Sequence, residues 1–562
     1  MSTDIRTTPL PAASPSVLSE VALDEEKALS LDSDTKGEAD VSSAPSSKDD
    51  LDGIVAAHGA FARVTRYLAQ LGVETRSTER IPEDEREQLS LTRLIVRQIM
   101  FWFSVNLSFS CLGTGMLGGM YFTLDFPTSM AVIWLGTALG VCVSATMATI
   151  GPKTGLRTMA ASRFAGGWPG TAIFSLLNAM TQLMYAVTTV IVGAQALRSI
   201  NQSLSLVVGI VILTVVVMVL CIWGFQFLHF WERYAWIGCF IIYCIVLGLG
   251  TRGNYDIHAG TADMATGREL QGNVLSFLGI MFSVGSGWTS IAADYNMTLP
   301  HTTPSWAIWV SSFVGMYLPI AFTCSVSATF NILTDPAYVQ AFEEESLGGV
   351  VGHILISGAG GFGKFLMVLL AFSTVSANIP NTYSGALCLQ TIHPWLMKIP
   401  RVFFVIVFAV VYLVVALVGR EHFSEILSNF SAILAYYVSR SSEAQEASAP
   451  QNLPLRATAF LSAIIFIEVF WFRRKNGPLA DKTNWDDATD FSKLPPGLAC
   501  VGAIVCSIPL IVLSMAETWY TGPIALAVSK PYGGDLGFEV AAGMSAISYF
   551  AFRTLEIKYF GR

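Results

Sequence analysis

Long apolar runs separated by short polar connections fill most of this 562-residue chain. From Ile95 onward the runs recur at the length of about 20 residues that a helix needs to cross a bilayer. The pattern predicts an all-α membrane protein with about twelve transmembrane helices. The predicted spans lie near residues 97–122, 129–150, 169–197, 205–225, 234–250, 273–294, 305–331, 362–390, 402–419, 424–472 (interrupted), 497–516 and 535–553.

The first 92 residues follow a different pattern. They are rich in Ser, Asp, Glu, Ala and Pro and contain no long apolar run. A segment of this composition is too polar to bury a core of its own. We therefore expect residues 1–92 to form a disordered N-terminal tail and residues 93–562 to form the transmembrane domain.

A polar insert, residues 439–456, interrupts the tenth predicted span. The apolar stretches on either side are each short for a full span, and joined they would make one helix of sufficient length. The insert is either a loop between two half-segments or a retained intron that has been translated. We favour the retained intron.

Composition and charge narrow the class of protein. Hydrophobic residues make up 53% of the chain and charged residues 13%, with a mean hydropathy of +0.54. The net charge of −8 gives no reason to expect nucleic acid as a partner, because much of the acid lies in the tail. The nine cysteines fall mostly within apolar runs and form no Cys-x-x-Cys pair, so we expect buried thiols and no metal site. The positive-inside rule, applied to the loop lysines and arginines, places both termini in the cytosol.

The six residues 285–290, Gly-Ser-Gly-Trp-Thr-Ser, interrupt the sixth apolar span. Glycine weakens a helix, and backbone that leaves the helix at membrane depth must find partners or line a cavity. Broken helices of this kind form the substrate sites of many secondary transporters. Trp288, beside Gly287, offers a flat aromatic face. These residues predict a carrier for a small planar solute.

Two more spans share this polar texture. Hydroxyls and an amide lie at membrane depth in the first span, at Ser104, Asn106, Ser108 and Ser110, although single serines also serve helix packing. The first and sixth helices are the broken pair of an inverted-repeat carrier, which fits this placement. In the eighth span Pro380 predicts a kink or break. We expect Asn378 to cap that kink and Asn381 to face a ligand.

The third span and the end of the sixth supply further candidates. Tyr185 and Thr189 are four residues apart and so share one helix face. Asp294 ends the sixth span, and a carboxylate at membrane depth is a candidate for proton coupling. Its alternative role is a solvated group or the partner of a loop arginine.

Several motifs together resemble the fungal purine–cytosine permeases of the nucleobase–cation symporter family. The resemblance extends from about residue 70 to the end, apart from the insert. Its motifs are Gly151-Pro-Lys-Thr-Gly-Leu-Arg, Ser162-Arg-Phe, His229-Phe-Trp-Glu-Arg-Tyr, Ala292-Ala-Asp-Tyr-Asn-Met-Thr-Leu-Pro, Asn378-Ile-Pro-Asn-Thr-Tyr-Ser, Lys398-Ile-Pro-Arg, Gly419-Arg-Glu-His-Phe, Tyr532-Gly-Gly-Asp-Leu-Gly-Phe-Glu and Leu555-Glu-Ile-Lys-Tyr-Phe-Gly-Arg. The resemblance implies a five-helix inverted repeat plus two C-terminal helices, and proton-driven uptake of cytosine and purines at the plasma membrane.

The family's substrate site draws on helices one, three, six and eight. By this resemblance, Trp288 is expected to stack on the base, and Asn381 and Pro380 match the eighth-helix pair. A first-helix serine, Ser104 or Ser108, is expected to join them. The third helix departs from the family pattern, because Tyr185 and Thr189 stand where relatives place tryptophan and asparagine. Bacterial relatives bind sodium between helices one and eight, where this chain has Ser373 and Thr374.

The expected function is therefore proton-coupled uptake of purine nucleobases, cytosine or both, without a cofactor other than the coupling proton. The expected partners are a small heterocyclic substrate and the lipid bilayer, and the sequence gives no indication of an oligomeric state. The third-helix departure keeps a related branch that carries vitamin B6 (pyridoxine) as an alternative, and a non-transporting nutrient receptor is another. A membrane enzyme is disfavoured because the seven histidines are scattered, and a channel because no filter motif is present.

Overall fold

The computed structural model describes residues 78–223, 225–259, 264–419, 452–517, 520–530 and 533–562, and nearly all of these lie in helices. The α-helices are α1 Leu91–Asn106, α2 Phe109–Leu112, α3 Leu117–Met120, α4 Phe126–Ala148, α5 Ile150–Thr154, α6 Thr158–Ala161, α7 Arg163–Ile200, α8 Leu206–Trp223, α9 Phe225–Gly250, α10 Gly267–Ser286, α11 Ser305–Ala328, α12 Pro336–Thr391, α13 Arg401–Gly419, α14 Asn452–Ile467, α15 Leu498–Ser514, α16 Pro523–Val528 and α17 Gly537–Phe560. Two short antiparallel strands, β1 Ala516–Glu517 and β2 Tyr520–Thr521, form a hairpin.

Shorter helical turns join these helices. The 3₁₀ turns are Glu83–Glu85, Thr251–Gly253, Gly287–Ser290, Ala292–Tyr295, Thr329–Ile332, Leu396–Lys398, Ala480–Lys482 and Trp485–Thr489, and a π-turn, Glu468–Phe472, ends α14. Within the described residues, six helices are long and apolar enough to cross a membrane, or seven if the bent pair formed by α1 with α2 and α3 counts as one span.

Eleven of the twelve predicted spans coincide with helices in the part of the chain that the structure describes. The tenth does so only in its second half, because residues 420–451 lie outside the described residues. The interpretation of the insert 439–456 falls largely on those residues.

Side-chain caps explain where two of the long helices begin. Asp125 accepts a hydrogen bond from Thr128 N at the start of α4, and Asp335 accepts one from Ala337 N at the start of α12.

The helices are interrupted at four points. The first span bends by 67° between α1 and α2, and the sixth changes from α-helix to 3₁₀ turns after Ser286. Gly167 near the start of α7 and Gly360 within α12 have positive φ, which glycine adopts without strain. A Cβ at Gly167 would collide with the carbonyl oxygen of Pro495, so the site also requires close approach. The expected kink or break at Pro380 is not a break, because α12 continues through this residue, and a kink there stays a prediction.

The antiparallel pair α7 and α12 forms the centre of the bundle. Contacts at three levels fix their register, since Gly193 faces Thr374, and Asn178 Nδ2 donates to Cys388 Sγ at 3.0 Å. Ala186 lies between these levels and accepts a 3.5 Å hydrogen bond from Asn378 Nδ2. A core cluster that includes Val190, Ile379, Phe408 and Tyr412 packs around this pair. The helices α7 and α12 thus form a scaffold beside the two broken spans.

Residues 78–90 lie against one end of the bundle, which we name the tail face. Arg86 is buried there, and its guanidinium donates to the carbonyl oxygens of Ile81 and Pro152. Glu87 N donates to Thr298 O at 2.9 Å. These residues belong to the predicted tail, but they are packed against the bundle. The buried arginine binds backbone carbonyl groups, and the local sequence does not predict such contacts. The remainder of that prediction, residues 1–77, lies outside the described residues.

Candidate functional site

The break in the sixth span is held by a neighbouring helix. Residues Gly287–Ser290 form a 3₁₀ turn, which leaves backbone carbonyls of the preceding helix free. Ser144 on α4 donates to Gly285 O at 2.8 Å, and its oxygen lies 2.9 Å from Thr289 Oγ1. A buried side chain therefore satisfies the opened backbone. The predicted interruption of the sixth span lies at these residues.

Trp288 is half-buried at this break. Its indole Nε1 donates to Asn106 Oδ1 at 2.8 Å, and its ring meets the ring of Trp102 edge to face, with centroids 5.4 Å apart. Both contacts come from α1, so the first broken span sets the orientation of the tryptophan on the sixth. Asn106 was not among the predicted site residues.

Tyr185 approaches the same break from α7. A Cβ placed on Gly287 would lie 2.9 Å from the Tyr185 hydroxyl oxygen, so the glycine permits this approach. Tyr185 and Trp288 thus both lie beside residue 287, and no ring contact between them is seen within the described residues. Thr189, one turn further along α7, is buried. Aromatic side chains at such a break offer flat faces on which a planar ring can stack.

The two asparagines of α12 have different roles. Asn378 Nδ2 donates across to Ala186 O on α7 at 3.5 Å, so its bond goes to another helix and not to a cap on α12, and its buried Oδ1 has no partner among the described residues. Asn381 is 6% exposed, and its amide makes no hydrogen bond to another described residue. Pro380 precedes it and is buried within the continuous helix. Because a buried amide normally has partners, the unused amide of Asn381 is available to a ligand.

The first-span serines are both buried, Ser104 at 2% exposure and Ser108 at 0%. Ser108 follows the bend, and its Oγ lies 2.8 Å from Ser110 Oγ and 3.7 Å from Cys111 Sγ. Its hydroxyl is therefore engaged within its own segment. Ser104 lies on α1, two residues before Asn106, the last residue of that helix.

The two hydroxyls proposed for a coupling ion face different neighbours. Ser373 Oγ accepts a hydrogen bond from Phe109 N at 3.0 Å, which fastens the first bend to α12. Thr374 Oγ1 donates to Ala371 O and points toward Gly193 on α7. They do not converge on one point in this arrangement. Among the described residues, no group of three or more His, Cys, Asp or Glu side chains is placed to hold a metal ion.

Asp294 lies toward the tail face, in a cavity of about 10 Å³, which has room for about one water molecule. Its carboxylate accepts a hydrogen bond from Thr158 N at 2.8 Å, and the guanidinium of the neighbouring Arg157 donates to the Tyr383 hydroxyl at 2.8 Å. Proton coupling and pairing with a loop arginine both stay predictions for Asp294. Two buried hydroxyls with no hydrogen-bond partner, those of Ser290 and Ser384, line the same cavity.

The position of this cavity also shows where the candidate ligand residues lie relative to the tail face. Ser290 and Ser384 meet at the cavity, and both segments run toward the tail face. Trp288 lies two residues before Ser290, and Asn381 lies three residues before Ser384. Both candidate ligand residues are therefore on the side of the cavity away from the tail face. Thr78 lines the cavity too, so the docked tail segment helps to close that end.

Over residues 81–441 the chain matches the family described as "Permease for cytosine/purines, uracil, thiamine, allantoin". It is 30% identical over 510 residues to the purine-cytosine permease fcyB of Emericella nidulans, covering 89% of this chain and 92% of that one. It is also 30% identical over 543 residues to the purine-cytosine permease FCY2 of Saccharomyces cerevisiae, covering 95% and 96%. This chain belongs to that permease family. The resemblance seen in the sequence motifs is thus confirmed.

Two further similarities bear on fold and substrate. The vitamin B6 transporter TPN1 of Saccharomyces cerevisiae is 29% identical to this permease over 537 residues, covering 89% of this chain and 90% of that one. The closed structure of Mhp1, a nucleobase-cation-symport-1 family transporter with bromovinylhydantoin bound, has a TM-score of 0.61 at 15% identity and covers 86% of this chain and 96% of that one. The expected all-α membrane transporter fold is confirmed. The chain is a multi-pass permease and not an enzyme.

Proposed function

We propose that this permease carries purine nucleobases, cytosine or both into the cell by alternating access. The observation that carries the proposal is the break of the sixth span, where the half-buried ring of Trp288 follows Gly287 and the Tyr185 hydroxyl approaches that glycine from α7. A base presents a flat ring with hydrogen-bonding groups on its edge, and this arrangement complements both features. The purine-cytosine permeases with 30% identity over most of the chain support the same substrate class.

In this proposal Trp288 stacks on one face of the base, Tyr185 closes the other, and Asn381 pairs with the ring edge. Gly287 lets the tyrosine approach, and Pro380 precedes the pairing amide. Ser104 and Ser108 complete the site from the first span, and Thr189 lies beside it on α7. The closed end at Asp294 then opens toward the tail face as the broken spans move against the α7–α12 scaffold.

We infer that the tail face is cytosolic and that the carrier works in the plasma membrane. The distribution of lysines and arginines supports this orientation. In this proposal transport is coupled to protons. One proton moving inward down 100 mV supplies about 2.3 kcal/mol, which is enough for roughly fiftyfold accumulation of a neutral solute. Asp294 is the better candidate for the coupling group, since Ser373 and Thr374 face different helices.

Vitamin B6 is the second candidate substrate, because Thr189 lacks the second hydrogen-bonding group that an amide would offer to a base edge. The 29% identity to the vitamin B6 transporter TPN1 is consistent with this second candidate. Thr189→Asn discriminates between the candidates. If bases bind here, the added amide should improve uptake of cytosine or guanine by a fewfold, in keeping with about 1 kcal/mol for a hydrogen bond. If pyridoxine is the substrate, the same change should give no new base uptake.

Radiolabelled uptake in a host without its own nucleobase and pyridoxine carriers tests the function. The chain is expressed with and without residues 439–456, and labelled adenine, cytosine, hypoxanthine and pyridoxine are offered with and without a protonophore. We expect uptake of bases that the protonophore abolishes. Uptake of pyridoxine alone would favour the second candidate. Binding at the membrane without accumulation would contradict transport and favour a receptor.

A further inference from the structure

Asn106 is the last residue of α1, immediately before the bend of the first span, and is 1% exposed. Its two polar ends serve different partners. Nδ2 donates to Trp102 O, one turn earlier in the same helix, at 2.9 Å, and Oδ1 accepts from Trp288 Nε1 at 2.8 Å. The side chain therefore connects the broken end of the first span to the aromatic residue at the break of the sixth.

The orientation of this amide follows from its partners. An indole nitrogen only donates and a backbone carbonyl only accepts, so the oxygen of Asn106 must face Trp288 and the nitrogen must face Trp102. A flipped amide would lose both bonds. Leucine, alanine or serine at this position could not supply both groups at the same reach. Asparagine is thus specifically suited to this junction.

The contacts on Trp288 restrict its ring. Asn106 holds the indole at its nitrogen, and Trp102 meets the ring edge to face at an interplanar angle of 68°. An aromatic ring held in its binding orientation loses less conformational freedom when a ligand stacks on it. Both restraints come from α1, so Trp288 keeps this orientation only while the two breaks stay together.

We propose that Asn106 is a positioning residue for the substrate site. It holds the indole plane of Trp288 in the orientation that stacks on the substrate, and it joins the two broken spans into one unit. The inference rests on the proposed function, because it assumes that Trp288 stacks on the transported ring. Asn106 itself contacts the tryptophan and not the substrate.

A double-mutant cycle between Asn106→Ala and Trp288→Phe tests the proposal. Phenylalanine keeps a ring that can stack but has no N–H, so it removes the same hydrogen bond from the other side. Uptake of tritiated adenine and tritiated cytosine is measured for the full chain, normalised to protein at the cell surface. We expect Asn106→Ala alone to raise the half-saturating concentration about three- to tenfold, as loss of one buried hydrogen bond implies. In the Trp288→Phe background it should change that concentration less than twofold, since coupled residues are not additive.

Asn296→Ala is the matched control. Asn296 is also fully buried and donates to the carbonyl oxygen one turn earlier, Ala292 O, at 3.2 Å, but its Oδ1 has no hydrogen-bond partner. This variant removes a buried amide without touching Trp288, so its effect should be the same in both backgrounds. Equal effects of Asn106→Ala in the two backgrounds would overturn the proposal and leave Asn106 a purely structural residue.

Asn106→Asp covers the case in which the alanine variant fails to reach the membrane. Aspartate keeps an oxygen facing Trp288 Nε1, so its half-saturating concentration should stay below that of Trp288→Phe. A value equal to or above that of Trp288→Phe would overturn the proposal. Absence of any uptake by the unaltered chain would contradict the proposed function and, with it, this inference. Uptake with additive effects would contradict the inference alone.

Discussion

The polar groups around Trp288 and those around Glu468 are both buried, but they differ in how many of their hydrogen-bonding atoms are used. Glu468 Oε1 accepts from Arg473 Nε at 2.7 Å and from the Arg553 guanidinium at 2.9 Å. The second oxygen, Oε2, lies 3.0 Å from Arg553 Nε and 2.9 Å from the Tyr549 hydroxyl. Arg553 also bonds Glu556, whose other oxygen accepts from Leu498 N.

The cluster around Glu468 therefore has a partner for each charge and ties together the π-turn after α14, the start of α15, and α17. By contrast, within the described residues the buried hydroxyls of Ser290 and Ser384, close to the candidate substrate site, have no hydrogen-bond partner. A saturated buried network has nothing left for a ligand and specifies structure. Unused groups in a buried site are a cost that a ligand can relieve. The two regions are thus expected to respond differently to substitution, in stability at Glu468 and in transport at Trp288.

The largest effect is expected from Arg553→Met, which leaves two buried carboxylates short of a cation. Breaking a buried ion pair by removal of one partner costs about 3–5 kcal/mol. We expect a strong fall in the melting temperature of the detergent-solubilised protein, which is measured by fluorescence-detected gel filtration after heating. The double variant Glu556→Gln with Arg553→Met should recover part of the loss, because Glu468 keeps its pair with Arg473 and Glu556 is the carboxylate left without a cation. Lys493→Met breaks an exposed pair with Asp487 and is the control, with little expected change in melting temperature because solvent screens such a pair. A melting temperature unchanged by Arg553→Met would contradict the structural role.

Trp288→Ala should have the next largest effect, on transport rather than stability. Stacking of a base on an aromatic side chain is worth about 1–3 kcal/mol, so kcat/KM should fall about ten- to hundredfold. Trp134→Ala is matched to it, since Trp134 also donates through Nε1 to a side chain, Ser325 Oγ, but is 39% exposed on α4. Uptake kinetics at equal surface expression measure both. Equal losses in the two variants would show that Trp288 is an ordinary packing residue.

The two asparagines of α12 give a sharper form of the comparison. Asn381→Ala removes an amide with no protein partner, so KM should rise about three- to tenfold while the melting temperature stays within about 1 °C of the unaltered protein. Asn378→Ala removes a bond to Ala186 and should instead lower the melting temperature. Uptake and thermal stability are measured on both variants. The reverse result, with Asn381 controlling stability and Asn378 controlling KM, would contradict the assigned roles.

The two regions also differ in how far the sequence predicts them. Local signals predict the break at residues 285–290, because glycine next to hydroxyls is unusual in an apolar span. They also allow a break at Pro380, where the helix is continuous, and they miss Gly167 and Gly360, because positive φ depends on neighbours that the local sequence does not specify. The hydrogen bond between Asn106 and Trp288 joins residues 182 positions apart, and the pair Glu468 with Arg553 joins residues 85 apart. Such pairings depend on how the helices assemble, so periodicity and propensity do not reveal them.

The smallest effect is expected where the tail segment meets the tail face, at Glu83. Burial raises the pKa of this carboxyl, but hydrogen bonds from His301 and the charge of Arg86 lower the pKa more, so that it lies below its usual value. The stabilisation is therefore present above the usual pKa of a glutamate and is lost as the pH falls through the lowered value. Because Glu83 is 40% exposed, the contact is worth less than about 1 kcal/mol. Hydrogen exchange of residues 78–90 should be slower in the unaltered protein than in Glu83→Gln at neutral pH, and the two should converge in acid. Protection of residues 78–90 that increases in acid in the unaltered protein would contradict the contact. The expected loss of protection in acid would distinguish this exposed pair from the buried network at Glu468, whose carboxylate is shielded from solvent.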